Sequence, residues 1–436
     1  MAGALLLPPM RQEEALIMLL IKSGRVFGAD AESADVLIKD GVIAEIAENI
    51  PEAGGLTVID ATGLIVAPGL FDMHVHFRDP GFEYKEDILT GAAAAAGGVT
   101  TCCCMPNTSP VADNPDVIKY IIDKAKETPV KVLPYGAVTV GQKGMELTDF
   151  AALKKAGAAA LSDDGNPIQN ARLMHRALQL AREQNMLMIS HCEDSDLVQN
   201  YAVNEGKVSW ELMLPGRPSI AEEIMIARDA MLAADTGARV HIAHVSTARS
   251  VDIIRKAKEA GVKITAETCP QYFTLTEEEI LKQGALARVN PPLRTKEDVE
   301  AIIAGLADGT IDVIATDHAP HSAEEKALPL TEAPSGMIGL ETSLGLALTN
   351  LYHTGKMGIE RIIELMSVNP ARILIQGTGV MGQGEAADIV IFDPDEEWTV
   401  MPDKFRSKAR NTPFGGMKLK GKVRYTISRG EIVYRS

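Results

Sequence analysis

Between about Leu70 and Gln376 the chain repeats one local theme, a short apolar run followed by a helical stretch, eight times over. Parallel strands need a crossover long enough to hold a helix, so this alternation predicts a parallel sheet. The predicted strands are Leu70 to His76, Thr100 to Met105, Val130 to Gly136, Ala159 to Ser162, Met186 to His191, Val240 to His244, Lys263 to Thr268 and Val313 to Ala315. Eight such units over roughly 300 residues match a closed (β/α)8 TIM-like barrel enlarged by insertions. Glycines stand where helices should stop, at Gly237 after AEEIMIARDAMLAADT and at Gly261 after VDIIRKAKEA.

The flanks read differently. From Met18, the segments LLIKSGRVF, ADVLIKDGVIAEI and TVIDATGLIVAPG have strand texture, with Asp40-Gly41 as a hairpin turn. After Gly377 the texture returns in AADIVIFDP, WTV and GKVRYTISRGEIVYRS, with Arg429-Gly430 as the turn. Two β-rich ends around one central unit predict a single small sandwich assembled from both. The α/β reading is therefore a barrel over residues 70–376 and a composite β-sandwich from 17–69 and 377–436. Residues 1–16 read as an N-terminal extension without a packing role, and Met18 as an alternative start.

Asp and Glu (59) outnumber Lys and Arg (43), giving a formal charge of −16. Such a field repels phosphate backbones and anionic membranes, which argues against both as partners. An anionic small-molecule substrate would meet the same repulsion and needs a local cluster of Arg and amide donors. The five cysteines include no CxxC, and Cys102 to Cys104 are consecutive in an apolar run, which is buried thiol usage in a reducing compartment. The apolar stretch Ala15 to Ile21 is far shorter than the ~20 residues of a membrane helix, and no basic region precedes Leu5 to Leu7. A cytoplasmic location is expected.

Chemistry concentrates at the ends of the predicted strands. Asp72-Met73-His74-Val75-His76-Phe77-Arg78 closes the first, and residues two apart on a strand share a face, so His74 and His76 can grip one cation. His191 ends LMISH, His244 ends VHIAH, Asp317 follows VIAT, and Asp163-Asp164 follow AALS. Barrel active sites are built at the C-terminal ends of strands, so four histidines and at least two acids on that rim predict a metal centre. Other histidines are set aside. His175, in a helical stretch, and His353, near a helix end, read as surface or packing residues, while His241 should face away from His244 and His318 away from Asp317. His321 lies in a loop over the rim, within reach of a substrate. That loop, about Ala319 to Ser335 with Pro320, Pro329 and Pro334, is expected to close over the site as a lid.

Taken together, DMHVHFRDPG, MPNT, ISHCED, IAHVST, ETCPQYF, NPPLR and ATDHAPH resemble the amidohydrolase superfamily and, within it, the bacterial class I dihydroorotases, over about Leu19 to Ser436. The resemblance implies His74 and His76 as ligands of one zinc and His191 and His244 as ligands of a second. It implies Asp164 as the bridge and Asp317 as metal ligand and proton shuttle. Many relatives bridge with a carboxylated lysine, but the nearest lysines here, Lys154 and Lys155, precede the fourth strand on a helix. An aspartate bridge is the consistent reading, and Asp164 is chosen over Asp163 on the family pattern alone.

The implied reaction is reversible closure of N-carbamoyl-L-aspartate to L-dihydroorotate with loss of water, a step of de novo pyrimidine (UMP) biosynthesis. The metal lowers the pKa of water from 15.7 toward about 7, and Asp317 takes a proton and passes it to the departing ring nitrogen. For the substrate carboxylate the resemblance implies a clamp of Arg78, Asn107 and His321, with the guanidinium suited to bidentate capture. His76 and Phe77 belong to the same substrate contact set, and Asn290 with the backbone at Ser335-Gly336 is implied to touch the ring amides. The family commonly shows Phe-Gly where this chain has Ser335-Gly336. A surface ion pair with Asp79, Glu83 or Asp87 is the plainer use of Arg78.

Dihydropyrimidinases, hydantoinases and allantoinases share barrel and metals, but usually keep the bridging lysine and need no Arg for a substrate carboxylate. The lack of that lysine, with Arg78 and Asn107 present, counts against them. A non-catalytic subunit of an aspartate transcarbamoylase assembly would typically lose metal ligands, and all six are present. The expectation is thus a zinc enzyme, a homodimer by default, with an aspartate transcarbamoylase complex as a further partner.

Overall fold

The computed structural model describes residues 18–52, 54–199, 201–374 and 379–436. The extension expected over 1–16 and the change of texture at Gln376-Gly377 lie outside the described residues.

All eight predicted barrel strands form, as Leu70–Val75, Val99–Cys104, Lys131–Pro134, Leu161–Ser162, Met188–Ser190, Val240–Ile242, Ile264–Thr268 and Val313–Ile314. Neighbours pair in parallel in chain order. Gly136–Ala137 continues the third strand past Tyr135 and pairs with the fourth. The ring closes where Val75 bridges His318, just beyond the eighth strand.

Period two sorts the side chains into layers. Phe71, Met73, Cys103, Tyr135, Ala160, Ile189, Ala243, Val313 and Ala315 are buried together inside the barrel. Their alternates Leu70, Val75, Cys102, Cys104, Leu161, Met188, Val240, Ile242 and Ile314 join the surrounding helices in a larger cluster. Helices of that outer ring include Pro115–Ala125, Ala171–Glu183, Ile220–Thr236, Ala248–Glu259 and Lys296–Asp308. Side chains of Asn114, Asn170, Thr247 and Thr295 accept first-turn N–H groups, as N-caps should. Gly237 and Gly261 end their helices at φ 67° and 78°, as predicted.

The two chain ends form one connected eight-stranded sheet. Met18–Val26, Ala34–Lys39, Val42–Ala47, Thr57–Asp60 and Ile65–Pro68 come from one end, and Ile389–Thr399, Lys418–Ser428 and Glu431–Arg435 from the other. The halves join where Ile65–Pro68 runs antiparallel to the start of Ile389–Thr399. Leu19, Ile21, Val36, Ile38 and Ile43 bury against Ile389, Ile391 and Ile427, so the sheet folds over a shared core. Both predicted turns have two central residues at positive φ, Asp40-Gly41 at 51° and 78° and Arg429-Gly430 at 53° and 82°, the type I′ geometry that suits hairpin twist.

One element differs from expectation. AADIVIFDP and WTV, read as separate strands, belong to the single strand Ile389–Thr399, which runs through Pro394 by breaking register between Asp393 and Glu397. Proline has no N–H to give the ladder, and the irregularity leaves it unpaired there. The five cysteines are free and buried. Among the described residues no helix is long and apolar enough to cross a membrane.

Candidate active site

The first barrel strand carries a bulge: Asp72 pairs with Cys102 but Val75 with Cys104, so three steps on one strand match two on its neighbour. Met73 lies in the inner apolar cluster, and the extra residue lets His74 and His76 point inward as well. Simple alternation supplies three further groups. Ala160 faces inward and so does Asp164, Ile189 is followed by His191, and Val313 and Ala315 by Asp317.

His244 breaks the alternation. Val240 and Ile242 face the helices, which would send His244 outward, but a backbone φ of 35° turns it into the barrel. Asp317 is also left-handed, at φ 48°. Non-glycine residues in this region are strained, and such strain persists where the surroundings over-determine it. The same turn corrects the expectation for His241. It faces the barrel interior along with His244, with Nδ1 2.8 Å from Thr265 Oγ1 and Nε2 3.2 Å from Glu267 Oε2.

The six expected ligands lie together and are buried. Asp164 Oδ1 is 3.6 Å from His74 Nε2 and 3.4 Å from both His191 Nδ1 and His244 Nε2, while its Oδ2 is 3.4 Å from His76 Nε2. Asp317 Oδ1 is 3.1 Å from His76 Nε2 and 3.4 Å from His74 Nε2. His191 Nδ1 and His244 Nε2 are 2.8 Å apart. Asp163 is used elsewhere, accepting the Val138 and Thr139 N–H groups and the Thr139 hydroxyl. Lys154 and Lys155 are exposed, and Lys154 Nζ donates to Gln184 O. Asp164 is the carboxylate between the two histidine pairs.

The residues fit a cation. Two groups, His74 with Asp164 and His244, and His74 with His76 and Asp317, bring their ligand atoms within 4.8 Å of one another. His74 Nε2 and Asp164 Oδ1 are buried without a hydrogen-bond partner, a costly state unless something binds between them. His74 Nδ1–H donates to Glu267 Oε1 at 2.5 Å and His76 Nδ1–H to Asn107 Oδ1 at 2.9 Å, which leaves both Nε2 lone pairs facing the cluster.

Electrostatics agree. Burial opposes charge on His74, yet Glu267, Asp164 and Asp317 outweigh it and raise its pKa well above the ordinary value. Burial of His191 is likewise outweighed, by the Asp164 and Glu193 carboxylates beside it, which raise its pKa to about 10. Burial would raise Asp164, but the field of His74 and the neighbouring His191 and His244 rings hold it well below the usual carboxylate range. The cluster calls for positive charge, and imidazole with carboxylate is a donor set that suits zinc.

The expected substrate residues divide. Arg78, at φ 61°, sits on the same mouth, with Nε donating to Pro320 O at 3.2 Å and Nη2 3.4 Å from His321 Nε2. Its alternative surface pairs are taken by others: Asp79 pairs with Lys124 at 2.5 Å, Asp87 with Lys408, and Glu83 accepts the Gly81 N–H. Asn290 Nδ2 is 3.5 Å from His191 Nε2, and its Oδ1 accepts from Arg217. His321 Nε2–H donates to Ser335 O at 2.9 Å. Gly336 N–H donates to Arg288 O, and Gly336 O accepts from Lys326 and Asn411, so this backbone supports His321 from behind. The Phe77 side chain is buried between barrel and helix, against Gly91, with its ring edge-on to His318 at 6.4 Å. His318 faces away from the cluster, its Nδ1 accepting the Gly339 N–H at 3.2 Å. His175 pairs with Asp235 at the surface and His353 donates to Pro394 O, both off the site.

Three residues at the site escaped the sequence reading. Glu267, held between His74 and His241, shares a strand face with Thr265, and that alternation was its signal. Glu193, two residues beyond His191, accepts from Arg217 Nη1 at 2.9 Å. Arg217 comes from an excursion after the fifth strand, where Gly216–Arg217 pairs with Val203–Asn204, and no pattern in the sequence marks it.

Comparison with known proteins points one way. The family described as Dihydro-orotase-like matches residues 63–250. The chain is 51% identical to the dihydroorotase of Acetivibrio thermocellus over 422 residues, covering 96% of this chain and 99% of that one. It is 51% identical to the dihydroorotase of Clostridioides difficile over 423 residues, covering 96% and 100%. Among solved structures, the L-hydantoinase (dihydropyrimidinase) from Arthrobacter aurescens superposes with a TM-score of 0.85 at 27% identity, covering 96% of each chain. With half its residues shared over nearly the full length, the chain belongs to the dihydroorotases, cyclic amidohydrolases that pair a (β/α)8 barrel with a β-sandwich.

Proposed function

We propose that the chain catalyses the reversible cyclisation of N-carbamoyl-L-aspartate to L-dihydroorotate and water, in de novo pyrimidine biosynthesis. The observation that carries this is the Asp164 carboxylate set between His74/His76 and His191/His244, with Arg78 on the same mouth. His74, His76 and Asp317 would hold one Zn2+, His191 and His244 a second, and Asp164 would join them. When bound, these ions polarise the ring carbonyl and lower the pKa of water from 15.7 toward about 7.

The protein groups do the rest. In the hydrolytic direction Asp317 accepts a proton from the attacking water and returns it to the departing ring nitrogen, and its Oδ1, 3.1 Å from His76 Nε2, lies close enough to the cluster for both. Arg78, His321 and Asn107 bind the substrate carboxylate. Because His76 engages Asn107 Oδ1, the Asn107 amide Nδ2 is the group left to donate. Asn290, steadied by Arg217, contacts the ring amide. The segment 319–335, pinned by Lys326 Nζ to Pro334 O and Gly336 O at 3.0 Å, covers the mouth and keeps out bulk water. Residues 70–376 act as the catalytic unit and 17–69 with 377–436 as its scaffold. A cytoplasmic homodimer, and an aspartate transcarbamoylase as further partner, belong to the same reading.

Turnover of dihydroorotate against dihydrouracil, hydantoin and allantoin, with metal analysis on the same preparation, tests the proposal. Selective hydrolysis of dihydroorotate by a zinc-containing protein, lost in Arg78→Ala, is the expected result. Preference for a ring without a carboxylate would assign another cyclic amidohydrolase. A chain with neither zinc nor turnover would point to a scaffold role.

A further inference from the structure

We propose that Lys85 is a positioning residue for the substrate carboxylate: it fixes His321 in the tautomer whose Nε2–H is held by Ser335 O, so that His321 offers no lone pair to the Arg78 guanidinium beside it and Arg78 keeps its donors for the anionic group. This rests on the dihydroorotase reading, in particular on Arg78 as a donor to the substrate carboxylate. Lys85 follows the first barrel strand and His321 the eighth, so the contact also spans the seam where the barrel closes.

The hydrogen bonds decide the tautomer. His321 Nε2 lies 2.9 Å from Ser335 O, a carbonyl that can only accept, so Nε2 carries the hydrogen. Nδ1 is then a lone pair, and the donor that faces it is Lys85 Nζ at 3.5 Å. The other neighbour of Nδ1, Glu325 Oε2 at 3.4 Å, is an acceptor and favours the opposite tautomer. Lys85 counters that preference by binding Glu325 Oε1 at 2.9 Å, while the Ser322 N–H and the Tyr84 hydroxyl occupy further lone pairs of the same carboxylate. The ammonium is sheltered, 5.5 Å from the centroids of both Phe82 and Tyr84 with its side chain 13% exposed. Burial, with Arg78, Lys85 and Lys326 around it, pushes the His321 pKa down to about 3, so the ring is neutral and its tautomer matters. Arg78 Nη2 lies 3.4 Å from His321 Nε2, near enough to donate to that nitrogen whenever it carries a lone pair in place of the hydrogen.

In Lys85→Met the hydrogen moves to Nδ1, where Glu325 accepts it, and the Nε2 lone pair so created takes an Arg78 N–H away from the substrate. The KM for dihydroorotate should rise roughly ten-fold, as for one lost charge-assisted hydrogen bond, with kcat held within about two-fold. Lys85→Arg, which keeps a cationic donor, should recover most of the loss. Nitrogen-15 NMR of histidine-labelled protein reads the tautomer directly: His321 protonated on Nε2 in the parent and in Lys85→Arg, on Nδ1 in Lys85→Met. A parent-like KM and tautomer in Lys85→Met overturn the proposal, as does a fall in kcat and thermal stability with KM unchanged. Arg78→Ala, assayed alongside, separates two failures. If it leaves the KM for dihydroorotate unaltered, the carboxylate clamp itself is wrong; if it raises KM while Lys85→Met is silent, only the role of Lys85 falls.

Discussion

Glu267 fixes the ring of His74. One of its oxygens accepts the His74 Nδ1–H at 2.5 Å and the other is held by His241 at 3.2 Å, with all three side chains fully buried. The imidazole is left one orientation and one free lone pair. Glu267→Gln is therefore expected to weaken zinc binding by roughly 10- to 100-fold, measured by competition with a chelator of known affinity, and an unchanged affinity would remove Glu267 from the site. His321 offers a pH signature. Burial, then Arg78, Lys85 and Lys326, lower its pKa from 6.5 to about 3. Between those values the unfolded chain binds a proton that the folded chain refuses, so stability is full above pH 6.5 and falls as pH drops toward 3. His321→Gln lacks that difference, and its Tm should fall less than the parent's between about pH 6.5 and pH 5. At this scale the sequence was partly readable. Alternation puts Asp163 and Asp164 on opposite strand faces, and only the fold shows that Asp164 shares the inward face of Ala160. His244 was not readable by the same rule, because its φ of 35° is a property of the folded barrel mouth. Glu267 acts on a histidine 193 residues earlier, a contact that no local pattern carries.

Elements were the most legible level, because each barrel strand is an apolar run between polar boundaries and each hairpin turn is written in its own residues. What stayed hidden is register. The bulge opposite Cys102 to Cys104, which turns His74 inward, and the break that carries a strand through Pro394 both depend on the neighbouring strand. The two type I′ turns expose another relation of this kind, since they touch: a Cβ on Gly430 would lie 2.6 Å from Gly41 Cα, and Gly430 has φ 82°. Gly430→Ala should cost roughly 2 kcal/mol or more, combining left-handed strain with overpacking against backbone. Gly28, at φ 80° with nothing within 4 Å, provides the comparison, because alanine there meets the strain alone. Urea denaturation of both variants measures the difference. Equal midpoints would mean that the contact between the turns contributes nothing to closing the composite sheet.

At the scale of the molecule, the joining of two distant chain ends into one sheet could be inferred from texture, but not the pairing of Ile65–Pro68 with Ile389–Phe392 that accomplishes it. The same long-range assembly gathers Asp164, Asp317 and Glu267 around His74 with scarcely any water contact, in a chain already carrying −16. Two of the cluster's polar atoms have no hydrogen-bond partner, so folding leaves there a concentration of negative charge and imidazole lone pairs that a divalent cation relieves. Metal bound only by the folded chain must stabilise it by mass action, about 2.7 kcal/mol when free metal stands at 100 times its dissociation constant. Chelation should therefore lower Tm, and added Zn2+ should restore it in proportion to the logarithm of its free concentration. Asp164→Asn, which removes the charge between the two histidine pairs, should shrink that zinc-dependent shift even if the variant begins at a different Tm. A Tm indifferent to zinc in the parent chain, with the metal shown to be bound, would place the ion away from His74 and Asp164.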